Sequence, residues 1–412
     1  MTIDFDKRLV FLITVLSPII GLFLAIKWRY KSWAKNLFWI FCSFSGLVII
    51  YSYSEGMDIY RYALQLKDFY YSAISFNELS RLFFTQEGVD IYQLTLVFIT
   101  SRFTDNAHLL FLLYAIIYGF FYSRNIWYIY EKKNNDNKSY HIGILILYVA
   151  LIWPVWQIAA ARFGTAFHLF VYGAMPYIFE KDKSKMIFLF LSPLVHFSFL
   201  FPVSVFLLYL IIPKKQNIVM VFYVITLFVK EINLPIINDF LISYLPSFLH
   251  KRVDSYVNEA YLIEFVEKSS GYAFHFIFMN TVGNIVIQIL LFLTFFVNAK
   301  YIKDNKKIRN CFFFSILLCS FSNIIALIPD GARFLLLGQM FMLISAVFSF
   351  SELKVSNKFR KKVLSPLLIL LITPMIIKFR MGCDYYGFSL LGNFISAFFI
   401  EDVRPIIDYI KN

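Results

Sequence analysis

Uninterrupted apolar runs, such as Met186–Val195 (MIFLFLSPLV) and 286–297 (VIQILLFLTFFV), constrain this chain more than any other feature. A β-barrel in a membrane alternates apolar and polar residues over short segments, so runs of this kind read as helices. They are also too numerous for a soluble core. Of 412 residues, 59% are hydrophobic and only 16% charged, and mean hydropathy is +0.67. A soluble domain of that composition could not cover its surface with polar groups. The expected fold is therefore all-α, a polytopic integral membrane helical bundle forming a single transmembrane domain over 1–412. At about 20 apolar residues per crossing, the length suits about 11–13 transmembrane segments.

A net charge of +13 would suggest nucleic acid in a soluble protein, but here its distribution points to topology. Six short segments, at 27–35, 131–138, 180–185, 213–217, 300–309 and 351–362, hold 22 of the 39 Lys and Arg residues and six of the 26 acids. By the positive-inside rule these are the cytoplasmic loops, and the remaining 17 bases and 20 acids leave the outer face near neutrality. Membrane lipids are the expected surroundings, and no nucleic acid is expected as a partner. Cys42, Cys311, Cys319 and Cys383 show no zinc or redox spacing. The first run, 9–26, lacks a small-residue cleavage signal and ends at Lys27-Trp28-Arg29, which reads as a retained span.

Threading the chain through those loops leaves two long stretches outside, 55–106 and 230–278, as external caps on the bundle. Parity fails once. Between the basic loop at 180–185 and Lys214-Lys215 lie 27 residues, 186–212, too few for two full crossings. Either they form a hairpin of two half-helices broken near Pro193, His196 and Pro202, or they form one tilted span with Lys214 outside. The hairpin is favoured, because non-helical backbone is tolerated at membrane depth where it lines a protein cavity. With two caps outside and only short turns inside, the chemistry is expected to face outward.

Two ARF triplets, Ala161-Arg162-Phe163 and Ala332-Arg333-Phe334, follow tight external turns and open inward-running helices. A lipid-facing Arg at a helix centre costs roughly 2.5–3.5 kcal/mol, so both belong at a wet cavity or the interface. At a helix N-terminus the guanidinium adds to the positive end of the dipole, a setting that an anion relieves. Phosphate or diphosphate fits, since Arg offers a bidentate fork and the helix end offers free N–H groups. The competing reading is two interfacial arginines snorkelling to lipid phosphates. Asp330, three residues before Arg333, is either its resting ion-pair partner or a helix cap.

A repeat, EGxDIY, occurs at 55–60 and again at 87–92. Gly allows a turn and Asp can cap the helix that follows, so capping accounts for part of the pattern. Alternatively these carboxylates face the cavity as a general base or bind sugar hydroxyls. Asp58 and Glu87 are the candidates for that base, and Arg61 is a further candidate contact. His196, inside the stretch that breaks parity, is either packed in the bundle or exposed as acid, base or phosphate contact. His168, six residues past Arg162, and His275, at the mouth of an inward span, are further candidates. No HExxH, GxSxG or Walker spacing appears, and no metal site is expected. Asp4-Phe5-Asp6 has a DxD spacing but sits in a terminal tail.

The runs EGMDIYRY and EGVDIYQL, then Thr104-Asp105-Asn106, then ARF, then a basic loop leading to His196-Phe197-Ser198, resemble the Wzy-type O-antigen and exopolysaccharide polymerases, including the EpsG-like branch. Arg162 and Gly173 carry the RX10G spacing of such polymerases, whereas Arg333 has no glycine at that distance. The resemblance implies a membrane glycosyltransferase that joins oligosaccharide repeat units carried on undecaprenyl diphosphate. It implies work on the outer face of the bacterial cytoplasmic membrane, without nucleotide sugars and without a cofactor. The lipid diphosphate would leave under neutralisation by Arg162 and Arg333, while Asp58, Glu87 or His196 takes the acceptor proton. A GT-C-like bundle and a chain-length regulator protein as partner are implied as well. Two rivals share the lipid face. A lipid-linked oligosaccharide flippase or transporter would carry charges along a central path rather than at the outer mouth. An O-antigen ligase displaces the same lipid diphosphate and is harder to separate.

Overall fold

The computed structural model describes residues 6–51, 57–85, 90–133, 140–244, 274–297, 304–352 and 359–411 apart from 401 and 403, with 250, 253, 254, 257 and 263 between 245 and 273. Among these residues the chain is helical, and a single bridge between Ile49 and Tyr386 is all that resembles strand pairing. The first apolar run is not one rod. It is two helices, α1 (Lys7–Leu16) and α2 (Pro18–Lys27), parted at Ser17. Pro18 has no N–H to continue the ladder and its ring crowds the preceding turn, so the span bends there.

The next helix, α3 (Ala34–Leu47), leads to three short helices of the first cap stretch: α4 (Asp58–Tyr71), α5 (Phe76–Thr85) and α6 (Ile91–Ser101). Then come α7 (Ala107–Lys132), α8 (Tyr140–Ile152), a 3-10 turn over Val155–Ala160, and α9 (Ala161–Glu180). Helix α3 lies on α7 at close range. Gly46 and Gly119 make this possible, because a side chain at either would run into Ala115 or Cys42. Helix α9 is the axis of the fold and is buried along most of its length, with Phe163, Phe167, Phe170 and Val171 at or below 2% exposure.

The stretch that breaks parity is α10 (Met186–Val195), a 3-10 turn at Phe197–Phe199, and α11 (Leu200–Ile211). Its two ends meet: Lys181 before it and Lys214 after it both donate to the hydroxyl of Tyr209, at 3.3 and 3.1 Å. The segment therefore leaves one face of the bundle and returns to it, as a hairpin with its tip at His196. Gly173 of α9 allows the first leg to lie flat against it, since a Cβ there would strike the backbone of Leu189.

Helices α12 (Gln216–Thr226) and α13 (Leu234–Tyr244) precede α14 (Phe274–Val297), α15 (Lys306–Ile325), α16 (Arg333–Glu352), α17 (Ser365–Gly382) and the short α18 (Ile406–Lys411). Among the described residues, six stretches are long and apolar enough to cross a membrane: Ala107–Lys132, Tyr140–Glu180, Phe274–Phe296, Lys306–Ile325, Arg333–Glu352 and Lys361–Gly382. Shorter apolar helices pack among them. The protein is a polytopic helical membrane protein. Outward-facing Leu, Ile and Phe on α14 and α17, such as Ile285, Ile289, Ile369 and Ile376, are exposed, as a lipid-facing surface requires.

Candidate functional site

The two aspartates of the EGxDIY repeat start helices: Asp58 is the first residue of α4, and Asp90 stands just before α6. Neither helix start is capped by a side chain, so capping is not what these carboxylates do. Both turn to Arg162, the second residue of α9. Its Nη1 donates to Asp90 Oδ2 at 3.0 Å and its Nη2 to Asp58 Oδ2 at 3.4 Å. Two copies of one short motif, 32 residues apart in sequence, thus converge on a single guanidinium.

Asp90 is 4% exposed, and its other oxygen accepts the backbone N–H of Phe197 at 2.8 Å. That bond ties the cluster to the tip of the α10–α11 hairpin. Asp58 also takes the guanidinium of Arg61 and the hydroxyl of Tyr62, the latter at 3.1 Å. The Arg162 guanidinium lies 5.7 Å from the Tyr62 ring centroid, and its Nε is buried with no acceptor among the described residues. Burial works to raise the pKa of Asp58. Arg162, Arg61 and the Tyr62 hydroxyl outweigh it and hold the carboxyl below the usual aspartate value. In this arrangement Asp58 is an ionised and weakly basic counterion.

Arg333 opens α16 at the same end of the bundle. Its guanidinium lies 4.9 Å from the ring centroid of Phe163, the residue that follows Arg162. Phe163 also meets Phe334 at 5.6 Å, Phe199 at 5.2 Å and the His196 ring at 5.6 Å. Phe163 therefore packs under Arg333 while following Arg162 directly in the chain. Arg333 pairs with Asp330 at 3.3 Å and donates from Nε to its carbonyl at 3.1 Å. Asp330 itself sits in the left-handed region at φ 62°, where the chain turns sharply into α16.

His196 is 4% exposed, and its Nδ1 lies 2.8 Å from the Ser198 hydroxyl. It stands beside the site, since the next residue's N–H is the one held by Asp90. The structure does not bring His168 there. Six residues past Arg162 is about 240° round the helix, and that face turns into the core. His168 is 1% exposed, with Nε2 3.1 Å from both the Tyr118 hydroxyl and the Trp153 carbonyl. His275 is exposed at the start of α14. Glu87 lies outside the described residues. Among the described residues no cluster of His, Cys, Asp and Glu could hold a metal ion.

Tyr62 is a member of the site with no forerunner in the sequence reading, and Asp90 enters that reading only as one carboxylate of the repeat, behind Asp58 and Glu87. The signal for Asp90 was present: it fills the same slot of the repeat as Asp58. Tyr62 lies four residues after Asp58, one helical turn on, which carries its hydroxyl back to the carboxylate.

A helical membrane bundle with a compensated arginine cluster at one end of its axial helix is the class of protein that fold and site define. The particular family follows from the chain itself. The EpsG family model matches residues 35–391, so the chain belongs to the EpsG family. The match takes in Asp58, Asp90, Arg162, His196 and Arg333, and the membership carries an exopolysaccharide or O-antigen polymerase-type function. No curated protein and no solved structure matches the chain.

Proposed function

We propose that the protein polymerises oligosaccharide repeat units carried on undecaprenyl diphosphate, at the outer face of the bacterial cytoplasmic membrane. One observation carries this reading: Arg162 is held between two carboxylates, with Arg333 packed on the ring of Phe163, the next residue, at the end of the axial helix opposite the Lys181–Lys214 meeting point. An arginine with exchangeable carboxylate partners is suited to receive a diphosphate. The incoming anion offers more charge and a matching bidentate edge.

The acceptor sugar hydroxyl attacks the anomeric carbon of the donor, the bond from that carbon to the diphosphate oxygen breaks, and undecaprenyl diphosphate leaves with the electron pair. Arg162 and Arg333 stabilise the charge that builds on the leaving oxygen. Substrate binding then also prepares the base. As the diphosphate draws Arg162 away, Asp58 loses one of the two cations that depress its pKa, Arg61 being the other, and its basicity rises. Asp90 keeps the hairpin tip, and with it His196, at the reacting centre.

Deleting the gene and separating the surface glycan on a gel tests the activity. A single repeat unit on its carrier or core is expected, whereas bare core assigns the step to ligation or flipping and removes the proposal. Arg162→Ala is expected to abolish long chains at unchanged protein abundance. Arg162→Lys is expected to leave shortened chains, because a lysine supplies the charge without the fork.

A further inference from the structure

Four primary carboxamides sit inside the membrane-spanning bundle, away from the arginine cluster. Asn284 and Gln288 come from α14, Asn323 from α15 and Gln339 from α16, and together with Tyr223 of α12 they line one partly open hollow of about 50 Å³. Gln339 is six residues along α16 from Arg333, about 9 Å deeper and about 240° round the helix, so the hollow lies on another face of α16 than the arginine. No charged side chain lines the hollow.

These groups satisfy one another only in part. Gln339 donates to Asn284 Oδ1 at 2.6 Å, and Asn323 donates to Thr226 Oγ1 at 3.0 Å. Each of these three carboxamides spends one of its two ends. The Gln288 carboxamide and the Tyr223 hydroxyl have no hydrogen-bond partner among the described residues. In hydrocarbon surroundings an unmet polar group costs several kcal/mol. Four helices that each bring such a group to one hollow therefore hold it for a polar occupant. A neutral occupant fits this wall, since neither a cation nor an anion finds a counter-charge among its lining residues. It carries both donors and acceptors, because the free ends of the wall are of both kinds.

We propose that this hollow is a glycan subsite, which takes the hydroxyl-bearing or acetamido edge of one neutral sugar residue of the substrate. The assignment to substrate rests on the polymerase reading above. The volume admits an edge with two or three polar groups, by the measure that a water needs about 10–15 Å³, and not a whole pyranose. With the diphosphate at the arginines, a sugar edge in the hollow would fix which face of the repeat unit meets the acceptor.

The test uses the full-length protein in a detergent without a sugar headgroup, titrated with N-acetylglucosamine, methyl glucoside and glucuronate and read by saturation-transfer NMR. At least one neutral sugar is expected to bind and glucuronate not to. Gln288→Leu and Asn323→Leu are each expected to weaken that binding about three- to tenfold, the usual range for one hydrogen bond. Gln288→Leu removes no bond within the protein, so its unfolding midpoint is expected not to fall, and a loss of binding there reads on the site alone. Equal binding of charged and neutral sugars, no sugar binding, or unchanged affinity in both variants overturns the subsite and leaves a hollow for water only. The two readings fail separately. A deletion strain with normal long glycan removes the polymerase while Gln288→Leu still reports on the subsite. A deletion strain arrested at one repeat unit, with Leu variants that bind like the native protein, removes the subsite alone.

Discussion

Arg162 takes its place from its neighbours more than from its own position in the chain. A guanidinium at a helix N-terminus opposes the dipole, and Asp58 and Asp90 compensate it from two different helices. Because Asp90 also holds the Phe197 N–H, its loss leaves two donors short of an acceptor. A double-mutant cycle of Arg162→Met with Asp90→Asn is expected to give a coupling of about 0.5–3 kcal/mol in unfolding free energy, and a value near zero would separate the two residues energetically. Acid should act through Asp58. Its folded pKa lies below the ordinary 3.8, so the stability it contributes is full above that value and is lost as pH falls through the folded pKa. Asp58→Asn is therefore expected to flatten the acid limb of thermal stability below about pH 4 and to leave the slope near neutrality unchanged. Residue types and the repeat made Asp58 and Arg162 legible in the sequence. The same repeat contained Asp90, but nothing in a linear chain says which carboxylate of EGxDIY faces an arginine 72 residues further on.

The α10–α11 hairpin is the element on which the site turns. Its apolar length announced a break without saying where the ends go; the shared contact of Lys181 and Lys214 with Tyr209 settles that. Cysteines placed at Lys183 and Lys214 are expected to react with a membrane-impermeant thiol reagent from the same side, and labelling from opposite sides would rule out the hairpin. Gly173 belongs to the same element by packing. The RX10G spacing reads as a functional signature, yet its glycine does structural service, since any side chain there pushes α10 off α9. Gly173→Leu is expected to cost about 1–3 kcal/mol in stability, measured by thermal unfolding in detergent. Polymer length should fall with it, because the hairpin tip carries the Asp90 contact.

At the scale of the molecule, the helices place opposite chemistry at the two ends of α9. Asp58, Asp90 and Arg162 gather at one end; at the other, Glu180 binds Lys132 and Lys307 at 2.7 and 3.4 Å and Lys181 meets Lys214 at Tyr209. That polarity was visible in the loops, because basic residues cluster in six short segments and the rest of the chain is nearly neutral. Composition and periodicity alone determined that this is a bundle of helices in lipid, since hydrophobicity is additive along a chain and the helical period is local. The partner of each polar group was decided only in three dimensions. His168 and His196 are alike in sequence as lone histidines in apolar runs, but helix rotation turns the first into the core and the hairpin carries the second onto Phe163, next to the Asp90 contact. Ion pairs and hydrogen bonds depend on distances between segments far apart in the chain, and those distances exist only once the helices have packed.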